Sequence, residues 1–202
     1  MERIDLAQWI KKYKDNGFSI LENGKIAVYD PYNSYTYLDD FAVSKKVFII
    51  DFSGISALTP EVISSLLNKL NFESVEDAQI VQLFLDSDNI DHLAIAHIAS
   101  NFKKRAYWLA WEMSEGVLLT PSHHKHKDVF PYLIDGRAKS AKDIAKEKKG
   151  DINRLSANLS TYLHNLYNAG LLTREARGKG YLYQLPFTGY YLEDNWDGSS
   201  FK

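Results

Sequence analysis

The sequence predicts an α/β domain followed by a smaller, mainly helical domain that closes with a β-hairpin. In the first half, short apolar runs typical of buried strands alternate with segments of helical periodicity. In the second half the apolar spacing is helical until two strand-like runs flank a basic tip. The formal charge also changes sign, because residues 1–122 hold 11 Lys and Arg against 17 Asp and Glu, whereas residues 123–186 hold 12 against 6. This asymmetry indicates that only the basic segment meets a polyanion.

The opening elements are predicted from periodicity and turn signals. Apolar residues at helical spacing predict a helix over residues 4–15, which the Asn-Gly pair at 16–17 would end. Two short strands follow at 18–23 and 25–30, and the Asn23-Gly24 signal between them predicts a hairpin.

A strand and helix alternation is clearest from residue 47 onward. Residues 47–50 form a continuous apolar run, as a strand buried on both faces would show. Thr59, Pro60 and Glu61 then resemble an N-cap, a first-turn proline and a first-turn acid. A second buried strand at 78–87, a helix at 89–102 and a third strand at 106–112 continue the alternation. This order predicts an α/β layer with right-handed crossovers.

The predicted domain junction is the polar, basic stretch at residues 120–128, which contains a proline. The predicted divisions are therefore an α/β domain at 1–119, a second domain at 120–186 and an acidic, aromatic tail at 187–202. We expect the tail to pack against the rest of the chain.

One helix of the second domain has two distinct faces. Its apolar stripe is Leu155, Leu159, Leu163 and Leu166, which predicts inward packing. The opposite face carries hydroxyls, amides and one imidazole: Ser156, Asn158, Ser160, Thr161, His164 and Asn165. Such groups hydrogen-bond to base edges and phosphates, although a solvated polar face with nothing bound is an equal alternative.

The second domain resembles the winged helix-turn-helix of bacterial regulators such as the arsenic-repressor and multiple-antibiotic-repressor families. The match covers roughly residues 125–186 and includes a Ser-capped helix, the ordered set Ser160, Leu163, Leu166, Gly170 and Leu171, and a terminal hairpin. The resemblance implies that the second helix of the motif reads the major groove of DNA, and that the wing contacts phosphates or the minor groove. The residues it implies for DNA binding are Asn158, Ser160, Thr161, Tyr162, Arg174, Arg177 and Lys179.

The first domain resembles the STAS family, the anti-sigma-factor-antagonist fold, and especially its divergent branch of unknown function. The match covers about residues 18–111 and depends on Asp51, Gly54 and Ile55, followed by a helix that begins after Thr59. In phospho-regulated members a serine stands at that helix start, and Thr59 here is more simply a capping residue. The resemblance therefore implies a domain that dimerises, senses a ligand or docks a protein partner.

Other candidate sites have simpler interpretations. His123, His124 and His126 lack the cysteines or carboxylates of a metal centre, so we expect no metal and no cofactor. Asp86, Asp88, Asp91 and His92 lie where a strand leads into a helix, and Asp88 or Asn89 is expected to cap that helix. His97 is expected to pack in the core or at an interface. The chain lacks cysteine, which excludes a thiol nucleophile, and no catalytic motif is present.

These observations predict a transcriptional regulator that binds double-stranded DNA as a homodimer and is not an enzyme. The N-terminal segment lacks the pattern of a signal peptide and no ~18-residue apolar window occurs, so we expect a cytoplasmic bacterial or phage protein with no membrane partner. Two alternatives stay open. The chain could be a protein- or RNA-binding module of a defence or toxin-antitoxin assembly. It could also be a nucleotide-processing enzyme with a pocket near Tyr29, Asp30, Asp39 and Asp40.

Overall fold

A computed structural model describes residues 2–12, 19–22, 24–28, 47–69, 80–102, 105–113, 116–123, 125–148 and 151–187. The strands in these residues are β1 (Glu2–Asp5), β2 (Ser19–Glu22), β3 (Lys25–Val28), β4 (Val47–Asp51), β5 (Ile55–Leu58), β6 (Ile80–Asp86), β7 (Trp108–Met113), β8 (Gly116–Pro121), β9 (Thr173–Arg177) and β10 (Gly180–Gln184). The α-helices are α1 (Leu6–Lys11), α2 (Pro60–Lys69), α3 (Ile90–Ser100), α4 (Ala141–Glu147) and α5 (Ile152–Asn168), and a 3-10 helix spans Lys127–Tyr132.

The main sheet has the order β1-β4-β6-β7-β8, with β1, β4, β6 and β7 parallel and β8 antiparallel to β7. A second sheet has the order β2-β3-β5 and joins the predicted hairpin to the segment after β4. The strands of the main sheet are added in chain order. Right-handed crossovers between strands added in one direction place the connecting helices on one face.

The helices α1, α2 and α3 pack on one face of the main sheet, and the C-terminal part packs on the other. Ile50, Leu83 and Leu109 point into the first core, together with buried residues of all three helices. Their neighbours Ile49 and Trp108 point into the second core, which α4, α5 and the 3-10 helix complete. Because the central strands are buried on both faces, they are mostly apolar and easily found in the sequence.

The C-terminal part joins the sheet through Trp108. This side chain is fully buried, its Nε1–H donates to the Leu171 carbonyl oxygen at 3.0 Å, and its ring lies 5.0 Å from that of Phe130. The Ala106 N–H donates to the Ala169 carbonyl oxygen at 3.0 Å, which adds a backbone link. The two parts of the chain therefore share one hydrophobic core.

The C-terminal part consists of the 3-10 helix, a single bridging residue, α4, α5 and the β9–β10 hairpin. Lys139 and Tyr183 of β10 exchange two backbone hydrogen bonds of 2.9 Å, so the small sheet has the order Lys139–β10–β9. Ser140 and Asp143 form a capping box at α4, and Asp151 caps α5 through the N–H groups of residues 153 and 154. Gly170, with φ +80°, follows the end of α5.

The predicted α/β class and the predicted alternation of β4, α2, β6, α3 and β7 are confirmed. Asn89 caps α3, as expected, by accepting from the Asp91 N–H at 2.9 Å. The strand β8 was not predicted, and it continues to Pro121, so it includes the first two residues of the predicted second domain. From Thr188 onward the predicted tail lies outside the described residues, as do residues 13–18 and the pocket candidates Tyr29, Asp30, Asp39 and Asp40.

Two sequence expectations are wrong in detail, and a third is narrowed. The segment predicted as the start of a helix at residue 4 is instead β1, because it pairs with β4, and α1 begins only after Asp5, which caps it. His97 is exposed on α3 and lies 3.3 Å from the Asn101 amide, so it does not pack in the core, and packing at an interface stays a prediction. The Thr59 hydroxyl is buried without a hydrogen bond, so α2 begins at Pro60 without the expected side-chain cap.

Gly54 should be intolerant of a side chain. A Cβ atom there would lie 2.6 Å from the Ala7 Cβ, because α1 closely approaches the turn after β4. Gly54→Ala should therefore lower the free energy of unfolding by about 1–3 kcal/mol through overpacking. Urea unfolding provides the measurement. Gly180→Ala is the matched control, because a Cβ there has no heavy atom within 4 Å, and equal losses in both variants would contradict the packing argument.

Candidate nucleic-acid interface

The helix α5 presents a neutral polar face because its leucines anchor the opposite side. Leu159, Leu163 and Leu166 are at most 2% exposed, and Leu155 packs against the same core. The predicted residues Asn158, Ser160 and Thr161 are all exposed. Successive helical residues turn by about 100°, so Asn158 and Ser160 flank Thr161 on its two sides. These three residues therefore lie together on the exposed surface of α5.

Tyr162 is set apart from the other predicted residues of α5. Its ring is partly buried and stacks on the His126 ring, with centroids 3.9 Å apart and planes 12° from parallel. The side chain therefore joins α5 to the segment before the 3-10 helix. Sequence reasoning could not find this contact, because the two residues are 36 positions apart.

The tip of the β9–β10 hairpin is fully open to solvent. Arg177 pairs with Gly180 in the antiparallel register, and Gly178 adopts φ +60° in the two-residue turn between them. Arg177 and Lys179 are both exposed. The Arg177 charge also reaches the start of α4, where hydrogen bonds from Ser140, helped by the Lys146 and Arg177 charges, lower the pKa of Asp143.

Arg174 is placed differently from the other two hairpin cations. Its guanidinium carbon lies 4.0 Å from the centroid of the Tyr167 ring and 4.3 Å from that of the Tyr181 ring. Its Nη1 lies 3.2 Å from the His164 Nδ1. The structure thus brings Arg177 and Lys179 together at the tip and holds Arg174 against α5.

The acids of this part are largely engaged, whereas many cations are free of ion pairs. Lys139, for example, lies 3.0 Å from both Asp135 and Glu147. Five of the six acids between residues 123 and 186 pair with a lysine or cap a helix: Asp128, Asp135, Asp143, Glu147 and Asp151. Seven exposed cations make no salt bridge to any described residue: Lys125, Arg137, Lys142, Lys146, Arg154, Arg177 and Lys179. The charge excess read from the sequence therefore remains available at the surface.

Four of these cations, Arg137, Lys142, Lys146 and Arg154, were not predicted individually as DNA contacts. The net charge of the segment indicated them only as a group. The structure distinguishes them from Lys139 and Lys148, which form salt bridges.

A second candidate region is the edge of the main sheet where its parallel strands end, a common location of ligand sites in α/β folds. Asp51 at the end of β4 accepts from Arg3 Nε at 2.9 Å and Nη2 at 2.7 Å, and from the Ser53 N–H at 2.9 Å. Burial acts to raise the pKa of Asp51, but these hydrogen bonds outweigh it and hold the pKa below its usual value. The carboxylate is thus a connector of β1 and β4.

His92 and Asp86 are likewise engaged in holding the fold together. The Asp86 N–H donates to the His92 Nδ1 at 2.8 Å, and the His92 Nε2 lies 3.1 Å from the Ile55 carbonyl oxygen. Because Nδ1 accepts, the ring proton is on Nε2 and is donated to Ile55. Burial lowers the pKa of His92, so the ring is neutral. The imidazole links the start of β5 to the end of β6.

The described residues contain no group of three or more His, Asp or Glu able to hold a metal ion. Two of the three histidines at residues 123–126 are described. The His123 Nδ1 lies 3.2 Å from the Ser122 hydroxyl oxygen, and the His126 ring stacks on that of Tyr162. His124 lies outside the described residues.

Comparison with protein-family models, with curated proteins and with solved structures finds no match to this chain. Within the described residues, every helix is too short or too polar to cross a bilayer.

His92 should make stability pH-dependent. Its pKa is lowered in the folded state, so its contribution is complete above about pH 6.5, the unfolded value, and is lost as pH falls below it. The free energy of unfolding should therefore decline between pH 7 and pH 5, by at most about 1.4 kcal/mol per pH unit for one proton. His92→Gln should reduce this slope in urea unfolding. His97→Gln, on the exposed side of the same helix, should retain it, and an unchanged slope in His92→Gln would rule out His92 as the source.

Proposed function

We propose that the C-terminal part is a winged helix-turn-helix that binds double-stranded DNA, and that the protein is a transcriptional regulator. The observation that carries this proposal is the order of elements: the 3-10 helix, a bridging strand residue at Lys139, α4, α5 and the β9–β10 hairpin. The small sheet has the order Lys139–β10–β9, so the residue before α4 pairs with the last strand. This order supports the proposal, because a helix-turn-helix with an attached wing needs two successive helices followed by a hairpin.

The surface chemistry of α5 supports a role as the recognition helix. Amides and hydroxyls such as Asn158, Ser160 and Thr161 read base edges in the major groove, and Asn pairs well with adenine. Arg154, in the first turn of α5, is an exposed guanidinium that would reach guanine or phosphate. The helix is anchored by its leucine stripe, so these groups are presented by a rigid element.

The seven exposed cations without salt bridges support phosphate contact. Arg177 and Lys179 at the hairpin tip would contact phosphates or enter the minor groove beside α5. The glycines at 178 and 180 have no side chains and allow a close approach to a nucleic-acid backbone. Contacts of this kind position the protein and supply affinity that does not depend on sequence.

The N-terminal α/β part would control this binding as a STAS-like sensing or dimerisation domain. Its buried strand β4 ends at Asp51 and α2 begins at Pro60, as the resemblance expects, although β5 occupies the segment between them. A homodimer would place two α5 helices in successive major grooves about 34–36 Å apart. Because the sheet and the C-terminal part share a core, a ligand or partner on the sheet side would bias that geometry.

A second candidate function is an interaction module that holds a protein partner. The exposed apolar side chains of α3 favour it, since Ile90 is 78% exposed and Leu93 is 39% exposed. Affinity purification of the tagged chain from its native host, with and without nuclease, separates the two functions. Recovery of DNA fragments supports the regulator, and recovery of one protein in stoichiometric amount without DNA supports the module.

The hairpin tip should supply sequence-independent affinity. Arg177→Ala combined with Lys179→Ala should weaken binding to every duplex and reduce the slope of log K against log salt by about 1.8, since each phosphate contact contributes about 0.9. Fluorescence anisotropy across a salt series measures both quantities. Lys11→Ala with Lys12→Ala removes the same charge from α1 and should leave the slope unchanged. Unchanged affinity of the tip variant at low salt would refute the wing assignment.

The α5 face should supply sequence discrimination. Asn158→Ala and Thr161→Ala should each reduce the preference for a selected site over random duplex by about 1–3 kcal/mol, with no change in salt slope. Selection from a random duplex pool, followed by competition binding, measures the preference. Asn101→Ala, which removes an exposed amide at the C-cap of α3, is the control. A variant that loses affinity equally for all sequences would place α5 outside the major groove.

A further inference from the structure

The three cations of the β9–β10 hairpin differ in their surroundings. Arg177 and Lys179 are exposed and make no salt bridge to a described residue. Arg174 is partly buried, and its guanidinium carbon lies over two aromatic rings, those of Tyr167 and Tyr181. The sequence grouped all three as nucleic-acid contacts, so this difference in setting indicates a separate role for Arg174.

The contacts of Arg174 connect the hairpin to α5. Arg174 itself is on β9, Tyr167 is on α5 and Tyr181 is on β10. The guanidinium carbon lies 4.0 Å from the Tyr167 centroid and 4.3 Å from the Tyr181 centroid, so it is stacked between helix and strand. Stacking of this kind uses the planar guanidinium, which lysine lacks.

A hydrogen bond fixes the guanidinium within the stack. Its Nη1 lies 3.2 Å from the Nδ1 of His164. His164 is on α5, about one helical turn before Tyr167. Arginine can only donate, so Nδ1 must accept and the ring proton lies on Nε2. The Asn168 Nδ2 lies 3.1 Å from Nε2. An amide nitrogen cannot accept a hydrogen bond, so Nε2–H donates to Asn168 only when the amide is turned to bring its oxygen to this position. The contact with Nδ1 therefore ties Arg174 to α5.

We propose that Arg174 is a positioning residue that clamps the hairpin onto α5, and that it acts on nucleic acid through Arg177 and Lys179 without contacting phosphate itself. The inference rests on the proposed DNA-binding function. The hairpin has only two strands besides the single bridge at Lys139, and two-stranded hairpins are marginally stable alone. Tyr183 packs in the core at the base of the hairpin, and the clamp adds a second tertiary contact that fixes the direction of the tip relative to the α5 face.

Conservative and non-conservative substitutions at Arg174, compared with a charge removal at Arg177, separate positioning from direct contact. Arg177→Gln removes a proposed phosphate contact and should lose about 0.9 of the salt slope. Arg174→Lys keeps the charge but loses the stack, so it should weaken binding as much as Arg174→Gln does. Neither Arg174 variant should weaken binding further in a chain that already carries Arg177→Ala and Lys179→Ala. An Arg174→Lys chain with wild-type affinity, or additive losses in that background, would overturn the clamp.

Hydrogen exchange of the free protein tests the clamp without DNA. Arg174→Lys and Arg174→Gln should each speed amide exchange in β9 and β10, and Arg177→Lys and Arg177→Gln should not. Tyr167→Leu removes the stack from the α5 side and should have the same effect, which keeps the test valid if an Arg174 variant folds poorly. Unchanged exchange in all three clamp variants would overturn the proposal. If the wild type binds no duplex at any salt concentration, the DNA-binding function fails, and the exchange result alone decides whether Arg174 is a clamp.

Discussion

The burial of Trp108 between the main sheet and the C-terminal part is the contact on which the rest of the structure depends. The strands of the main sheet are added in one direction, so the crossover helices α1, α2 and α3 cover only one face. The opposite face carries Ile49, Ile80 and Trp108, and leaving it in water would forfeit about 1.5–3 kcal/mol for each large side chain. The C-terminal part covers this face, and the Trp108 indole is satisfied by the Leu171 carbonyl oxygen at 3.0 Å.

This arrangement links the sheet to the surface that we propose as the DNA interface. Leu171 lies between the end of α5 and the start of β9, so the Trp108 hydrogen bond is made to the joint between α5 and the β9–β10 hairpin. The buried leucines of α5 contact the same core from the other side of the helix. A rearrangement of the sheet would therefore reach α5 and the hairpin through packed side chains, which have discrete arrangements and transmit strain.

Elements whose burial leaves a periodic pattern could be predicted from the sequence, and elements defined by a neighbour could not. The strands β4, β6 and β7 are apolar because both faces are covered, and α5 has a regular leucine stripe, so both types were found. The strand β1 is short and largely polar, and it exists because β4 offers it a parallel edge. The same reason applies to β8, which pairs only with β7. Thr59 has the sequence of a helix cap, but its hydroxyl is buried away from the donors that a cap would use.

The features of the candidate site likewise fall into those that follow from local sequence and those that depend on distant residues. Exposure at Asn158, Ser160, Thr161, Arg177 and Lys179 follows from local pattern, because a residue opposite a leucine stripe or at a glycine-rich turn faces solvent in most folds. Stacking and ion pairing require knowledge of distant residues. Tyr162 meets His126, Arg174 meets Tyr167 and Tyr181, and Lys139 meets Glu147. The net charge of a segment can therefore be read from its sequence, but only the fold shows which charged side chains form ion pairs within the protein and which are exposed to a partner. Between residues 123 and 186, the described part of the structure engages five of six acids and leaves seven exposed cations without a salt bridge, so folding sharpens the basic character that the composition of this segment only suggests.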